Sequence, residues 1–240
     1  MKTSRILLLA TMVSLCTGYV SAQTAEEIIG KYIDAIGGKE KLATVTSMIT
    51  EATLDVMGSQ GIVKTTVLIG KGAKSEIDVM GTQVTTCVTD TAGWTINPMG
   101  GIYSAQAMSA TEFNANKDWI YIEGPFADYA AKGYKVELIG QETVGITTAN
   151  KIALTTPENI VTNYFFDPAT NLLIKTLQMT EMMGQQMEIT INYSNYKATD
   201  AGIMIPYSSE TNYGGQFFLV ANVTKVEINP TIDPAVFAKP

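Results

Sequence analysis

From Val45 to the end of the chain, apolar and polar residues alternate with a period of two, and the alternation is cut at short intervals by glycine-bearing turn signals. Three of these signals share one form: Met57-Gly58-Ser59-Gln60, Met80-Gly81-Thr82-Gln83 and Met183-Gly184-Gln185-Gln186, with Tyr213-Gly214-Gly215-Gln216 as a looser fourth. Read as Gly-x pairs, they predict two-residue type II′ hairpins. Pairing Met57 with Gln60 puts Ala52, Leu54, Val56, Val63 and Val67 on one face and Glu51, Thr53, Asp55 and Lys64 on the other. Around Gly81-Thr82, Ile77, Val79, Val84 and Val88 share a face opposite Glu76, Asp78 and Thr85, and Cys87 stands across from Glu76. The third hairpin splits less cleanly, with Met182, Met187, Ile189 and Ile191 on one face and Leu177 and Met179 on the other. This suggests apolar cover on both sides or a bulge, and the fourth signal also suits a longer turn.

Strands are expected at about 46–57, 60–70, 74–80, 83–89, 94–97, 134–141, 150–155, 160–166, 172–182, 186–196, 203–213 and 216–228, a long antiparallel meander. Two segments break the pattern. Ala25, Ile28, Ile29, Tyr32, Ile33 and Ile36 follow helical spacing, Thr24 and Glu27 form a capping box, and Gly37 supplies the stop, with a short turn at 39–43. Residues 105–130 lose the alternation. Ser109 and Glu112 form a second capping box there, and Gly124-Pro125 divides the segment.

The opening reads as a secretory leader: Lys2 and Arg5, an apolar run from Ile6 to Leu15, then Val20-Ser21-Ala22. Residues 1–22 are the expected signal and 23–240 one domain; a lipid anchor at Cys16 is the alternative, disfavoured by Leu15 just before it. Without the leader, 14 basic and 23 acidic residues remain, a formal charge of 14 − 23 = −9, which argues against nucleic acid as a partner. The remaining chain has no arginine, no histidine and one cysteine, Cys87. Histidine-based triads, histidine or thiolate metal sites and bidentate arginine clamps are therefore out, and no cofactor motif is present. Carboxylate chemistry through Asp55, Asp78, Glu181 and Glu188 stays open in principle, the last two standing opposite each other in the expected register; the reading is nonetheless of a protein that is not an enzyme.

A sheet with one apolar face must cover it. Two apolar helical segments favour a mainly β fold in which a curved antiparallel sheet forms an open, incomplete β-barrel of about eleven strands, with helices covering an apolar cavity. The candidate lining is Leu54, Val56, Val63, Ile77, Val79, Val84, Trp94 and Ile96 from the sheet, and Ile29, Ile33, Met99, Met108, Phe113, Trp119 and Phe126 from helices and loops. The same residues would also suit a closed core, and Trp94 a hairpin anchor. Methionines repack easily around variable apolar partners, although Met57, Met80 and Met183 at turn tips also suit plain exposure.

The segments AEEIIGKYIDAIGGKEKLATVTS, DTAGWTINPMGG, GPFADYAAKGYKVELIGQETV, YFFDPATNLLIKTLQ and KVEINPTIDPAVFAKP, in this order, resemble the LolA/LolB-like proteins of Gram-negative envelopes, in particular the group named outer membrane lipoprotein-sorting proteins. The resemblance implies the same open barrel with a helical lid. It further implies a periplasmic, monomeric carrier or sensor of lipoprotein acyl chains or other lipid, working between envelope donor and acceptor proteins. The alternative is an interaction or sensing module with a closed core.

Overall fold

The computed structural model describes residues 23–182 and 185–240, so the leader, Cys16 and the Met183-Gly184 pair lie outside the described residues. Helix α1 (Ala25–Ala35) carries both halves of its capping box: Glu27 N–H donates to Thr24 Oγ1 at 3.2 Å and Thr24 N–H to the Glu27 carboxylate at 3.3 Å. Eleven residues are too few to hold a helix in water unaided, so α1 exists because Ile28, Ile29, Tyr32 and Ile33 are buried on the sheet. Each such side chain contributes about 1.5–3 kcal/mol. The helix ends at Gly37, whose φ of 136° and close approach to Ile203 exclude a side chain. A one-turn helix α2 (Gly38–Leu42) follows.

The rest is one antiparallel sheet of thirteen strands: β1 (Ser47–Val56), β2 (Ser59–Leu68), β3 (Gly72–Val79), β4 (Thr82–Thr89), β5 (Gly93–Asn97), β6 (Ile102–Ala107), β7 (Lys135–Val144), β8 (Thr147–Thr155), β9 (Val161–Phe166), β10 (Leu173–Met182), β11 (Gln185–Ala198), β12 (Met204–Tyr213) and β13 (Phe217–Ile228). Their order is β6-β5-β4-β3-β2-β1-β13-β12-β11-β10-β9-β8-β7. Two hairpin meanders are therefore joined edge to edge by β1 and β13, and the sheet stays open at β6 and β7. Of the thirteen, twelve overlap the expected strands; β6 has no expected counterpart, and its last three residues fall within the segment expected to be irregular. Its residues Ile102–Ala107 pair with β5 only through a register shift, which erases the clean alternation.

The turn type differs from expectation. Val56 pairs with Ser59 and Val79 with Thr82, so the turns are Met57-Gly58 and Met80-Gly81. All four residues have positive φ, at 52° and 88° and at 54° and 79°, which is type I′ rather than II′. An aspartate locks each: Gly58 N–H donates to Asp55 Oδ1 at 2.7 Å and Gly81 N–H to Asp78 Oδ1 at 2.9 Å. Relative to the expected pairing the strands slide by two residues, an even step, so every side chain keeps its face. Cys87 now opposes Lys74 instead of Glu76, and Glu181 opposes Gln186 instead of Glu188. The fourth signal is a three-residue loop, Gly214 to Gln216, between Tyr213 and Phe217.

The irregular segment connects the two open edges. Helix α3 (Ala110–Asn116) has its capping box, with Ser109 N–H donating to Glu112 at 2.8 Å, and 3-10 turns follow at Lys117–Ile120 and Gly124–Phe126. Ile120 packs on Val67, Ala73 and Val88, whereas Phe126 packs on Tyr32, Tyr164 and Phe166. The segment thus crosses the same face that carries α1, from the β2–β4 side to the β8–β9 side. This is the inward face.

Candidate functional site

The inward face is covered unevenly. At the end that holds α1, Ile28, Ile29, Tyr32, Ile33 and Ile36 pack with Ile152, Leu154, Phe166, Ile203 and Ile205 into one buried cluster. At the opposite end, where the hairpin tips lie, Val56, Val63, Ile77 and Val84 stay half-buried and belong to none of the buried clusters beneath the helices and the crossing segment. Leu54 and Val79 beside them are buried, Leu54 almost completely. Between the covered and uncovered parts lies a cavity of about 240 Å³. Met48, Thr50, Val67, Ile205 and Val223 line it from the sheet, and Trp119, Tyr121 and Ile122 from the crossing segment.

Of the residues singled out in the sequence, Leu54, Val56, Val63, Ile77, Val79 and Val84 share the inward face, as the register requires. Trp119 lines the cavity and keeps 49% of its surface exposed. Ile29, Ile33 and Phe126 are locked in the cluster under α1. Met108 lies half-buried against Val88 and Ile120, and Phe113 is half-buried on α3. Trp94, Ile96 and Met99 are not brought to this face. Trp94 pairs with Cys87 on the outward side, where its indole N–H donates to the Phe237 carbonyl at 3.0 Å, and Ile96 packs in the same outer cluster. Met99, in a 3-10 turn at Pro98–Gly100, is 62% exposed at a hairpin tip. Met48, Ile205 and Val223 went unrecognised; Met48 has the parity of Thr50, Ala52 and Leu54, so extending the β1 alternation by two steps finds it.

The register also sorts the charges. Lys64, Lys74, Glu76 and Asp78 point outward, and an ion pair joins Lys74 to Glu76 at 2.9 Å. Lys151 and Lys175 point outward too, both over the Phe165 ring. In the tip-ward half, the inward positions of β1–β4 and β13 are mostly aliphatic, with Ser59, Gly61, Thr82 and Phe217 at the hairpin ends, while β9 to β11 offer Thr162, Tyr164, Thr176, Gln178 and Tyr193 beside Ile189 and Ile191. Burial pushes the hydroxyls of Tyr32, Tyr164 and Tyr193 well above the usual phenol range, with the neighbouring Tyr193 adding to the shift of the first two. These groups are neutral donors at physiological pH.

Of the carboxylates considered for chemistry, two hold turns. Asp55 and Asp78 are tied into turn amides, and Glu181 and Glu188 are not opposite one another. Among the described residues no cluster of acidic, cysteine or histidine side chains is arranged to hold a metal, and no helix is long and apolar enough to cross a membrane.

Several solved structures share this architecture across nearly the whole chain. A domain assigned to the outer membrane lipoprotein-sorting proteins from Vibrio parahaemolyticus superimposes with a TM-score of 0.59 at 14% identity, covering 90% of this chain and 97% of that one. The LolA superfamily protein NE2245 from Nitrosomonas europaea gives 0.59 at 14%, covering 91% and 99%. The fold is LolA-like. A DUF1329 family protein from Desulfovibrio piger shares this LolA-like fold equally well, with a TM-score of 0.59 at 14% identity over 89% and 97%. No protein-family model and no curated protein matches the sequence. The LolA-like assignment is therefore one of architecture, reached through a thirteen-stranded open sheet rather than through shared residues.

Proposed function

We propose that this chain is an exported, non-enzymatic carrier that holds the acyl chains of lipoproteins or other lipids against its inward face, in the periplasm of a Gram-negative envelope. The half-exposed strip of Val56, Val63, Ile77 and Val84, next to a cavity roofed by Trp119, carries this proposal. A cavity of about 240 Å³ lies below the roughly 300–1,000 Å³ of pockets that enclose a whole small ligand. It takes part of an acyl chain, and the rest lies along the strip. Each methylene removed from water there contributes about 0.8 kcal/mol, so binding needs no dedicated polar chemistry. The LolA-like fold, the leader-like residues 1–22 and the acidic, histidine-free composition support the same reading. Donor and acceptor proteins of the envelope are the partners it calls for.

Native mass spectrometry and lipid extraction, on protein purified from an envelope fraction without detergent, test the proposal. Co-purifying lipid is expected, and Val63→Asp is expected to lose it while keeping a cooperative melt. Protein that emerges empty and takes up neither a fluorescent fatty acid nor a fluorescent diacylglycerol would point instead to an interaction module with a closed core.

A further inference from the structure

The sheet has a gap near its middle. β12 and β13 pair only from Tyr213–Phe217 to Ser208–Asn222. Each keeps its other neighbour much further, β12 pairing with β11 as far as Met204 and β13 with β1 as far as Ile228. Two residues account for the place where the ladder stops. Two steps beyond its last pair it would set Pro206 against Thr224. Proline has no N–H to give, and belongs on a strand edge rather than inside a sheet. Thr224 is the extra residue of a bulge, between Val223 and Lys225, which pair with Ala52 and Glu51, and its hydroxyl is turned to β1, donating to the Glu51 carbonyl at 3.1 Å.

Two cavities open on this gap. The inward one, of about 240 Å³, touches Ile205 and Pro206 on one side of it and Val223 on the other. The second, of about 420 Å³, lies toward the α1 end of the same strands, between Tyr207 of β12 and Val226, Glu227 and Ile228 of β13, with Thr199 and Asp200 of the turn before β12. A cavity resting on one face of an intact strand touches alternate residues. Here consecutive residues line the same space, Ile205 with Pro206 and Val226 with Glu227, so both cavities enter between the strands.

We infer that the gap is a passage through the sheet, and that it takes the methyl end of a long acyl chain whose middle lies in the inward cavity. The inference rests on the carrier reading and deepens it. The half-exposed strip holds the part of the chain nearer its head, and the passage carries the far end to the second cavity. Its walls suit hydrocarbon better than a peptide strand. On the β12 side the Met204 N–H is already given to the Ile36 carbonyl at 2.9 Å and Pro206 has none, so an added strand would lack donors that a hydrocarbon chain does not need. Ile205, Val223, Val226 and Ile228 supply aliphatic surface, and the exposed Asp200 marks where the passage meets water.

The test uses a sixteen-carbon fatty acid with a photoreactive diazirine at its methyl end, bound to the purified protein and irradiated, with the cross-linked peptides mapped by mass spectrometry. Cross-links are expected within 198–200 and 226–230, which line the second cavity and not the inward one. Ala198→Trp, at an exposed position of the second cavity, is expected to weaken binding of the sixteen-carbon acid at least about tenfold, the effect of returning about two methylenes to water. Binding of a ten-carbon acid, too short to reach the passage, is expected to stay within about twofold. If that variant does not fold, the cross-links in the unmodified protein decide alone. Cross-links confined to the strip and the crossing segment, or long-chain binding unchanged in a folded Ala198→Trp, would overturn the inference and leave the carrier reading standing. Failure of the unmodified protein to bind the probe at all would overturn both.

Discussion

Met57 and Met80 sit where an ordinary L-residue should not: the first position of a type I′ turn, at φ of 52° and 54°. A left-handed conformation costs a non-glycine residue roughly 1–2 kcal/mol, and asparagine is the usual occupant. Nothing is recovered by burial, since the two side chains are 67% and 82% exposed. Asp55 and Asp78 hold the turns in this form by accepting from Gly58 and Gly81, which favours the I′ register over the II′ one. Met57→Asn and Met80→Asn are each expected to stabilise the fold by about 0.5–1 kcal/mol, visible in thermal melts as a rise of about 1–3 °C. A fall in Tm in both variants would mean that the methionines make contacts in solution that the turn geometry does not account for. At this scale the repeated tetrapeptide correctly marked the places where strands reverse. The turn type was not legible because the deciding bond comes from an aspartate two residues upstream of the methionine.

The elements are stabilised by what lies across them rather than by their own propensity. On the outward face, the 3-10 turn at Pro234–Phe237 closes over β3 to β5: Phe237 fills the space above Gly72, where a Cβ would come within 2.6 Å of its ring, and its carbonyl accepts from Trp94 and Cys87. Burial pushes the Cys87 thiol up to about 11, only partly offset by Lys74. Little thiolate therefore exists at pH 8, and native protein is expected to resist a thiol reagent. Phe237→Ala should cost about 3 kcal/mol and make Cys87 reactive at that pH; an unchanged labelling rate would show that the C-terminal turn does not guard the thiol. In the sequence Cys87 stands on the polar face of its hairpin, with no sign of its burial. The cover comes from a segment 150 residues away, a distance at which no local pattern speaks.

For the whole molecule, the interior holds aromatic hydroxyls rather than charges. Tyr32 and Tyr164, with the neighbouring Tyr196, have hydroxyls pushed far above the unperturbed value of 10.0, burial being the largest cause for each. A group whose folded value is raised contributes stability that is complete below its unfolded value and is lost as pH rises beyond it. The protein is therefore expected to keep its stability up to about pH 10 and to lose it progressively above, with near-UV circular dichroism and the last part of the tyrosinate absorbance changing together. Complete tyrosinate absorbance reached while the dichroism stays native would show that these rings are open to solvent. Together with the open edges at β6 and β7, this describes an interior whose far end is sealed by α1 and whose tip-ward end remains a trough.

The sequence by itself determined the antiparallel meander, both capped helices and the face on which Leu54, Val56, Val63, Ile77, Val79 and Val84 lie, because period, caps and parity are local properties that survive a two-residue slide of the hairpins. It also determined that no histidine or arginine chemistry operates beyond the leader-like residues. Only the tertiary structure decided that Trp94 and Ile96 turn outward, that Ile29, Ile33 and Phe126 fill the covered end, and that Trp119 roofs the cavity. The joining of β1 to β13 belongs with these, since its partners are more than 150 residues apart. Such choices depend on how a long sheet bends and which distant segment reaches its faces, and burial across that distance leaves no periodic trace in the chain.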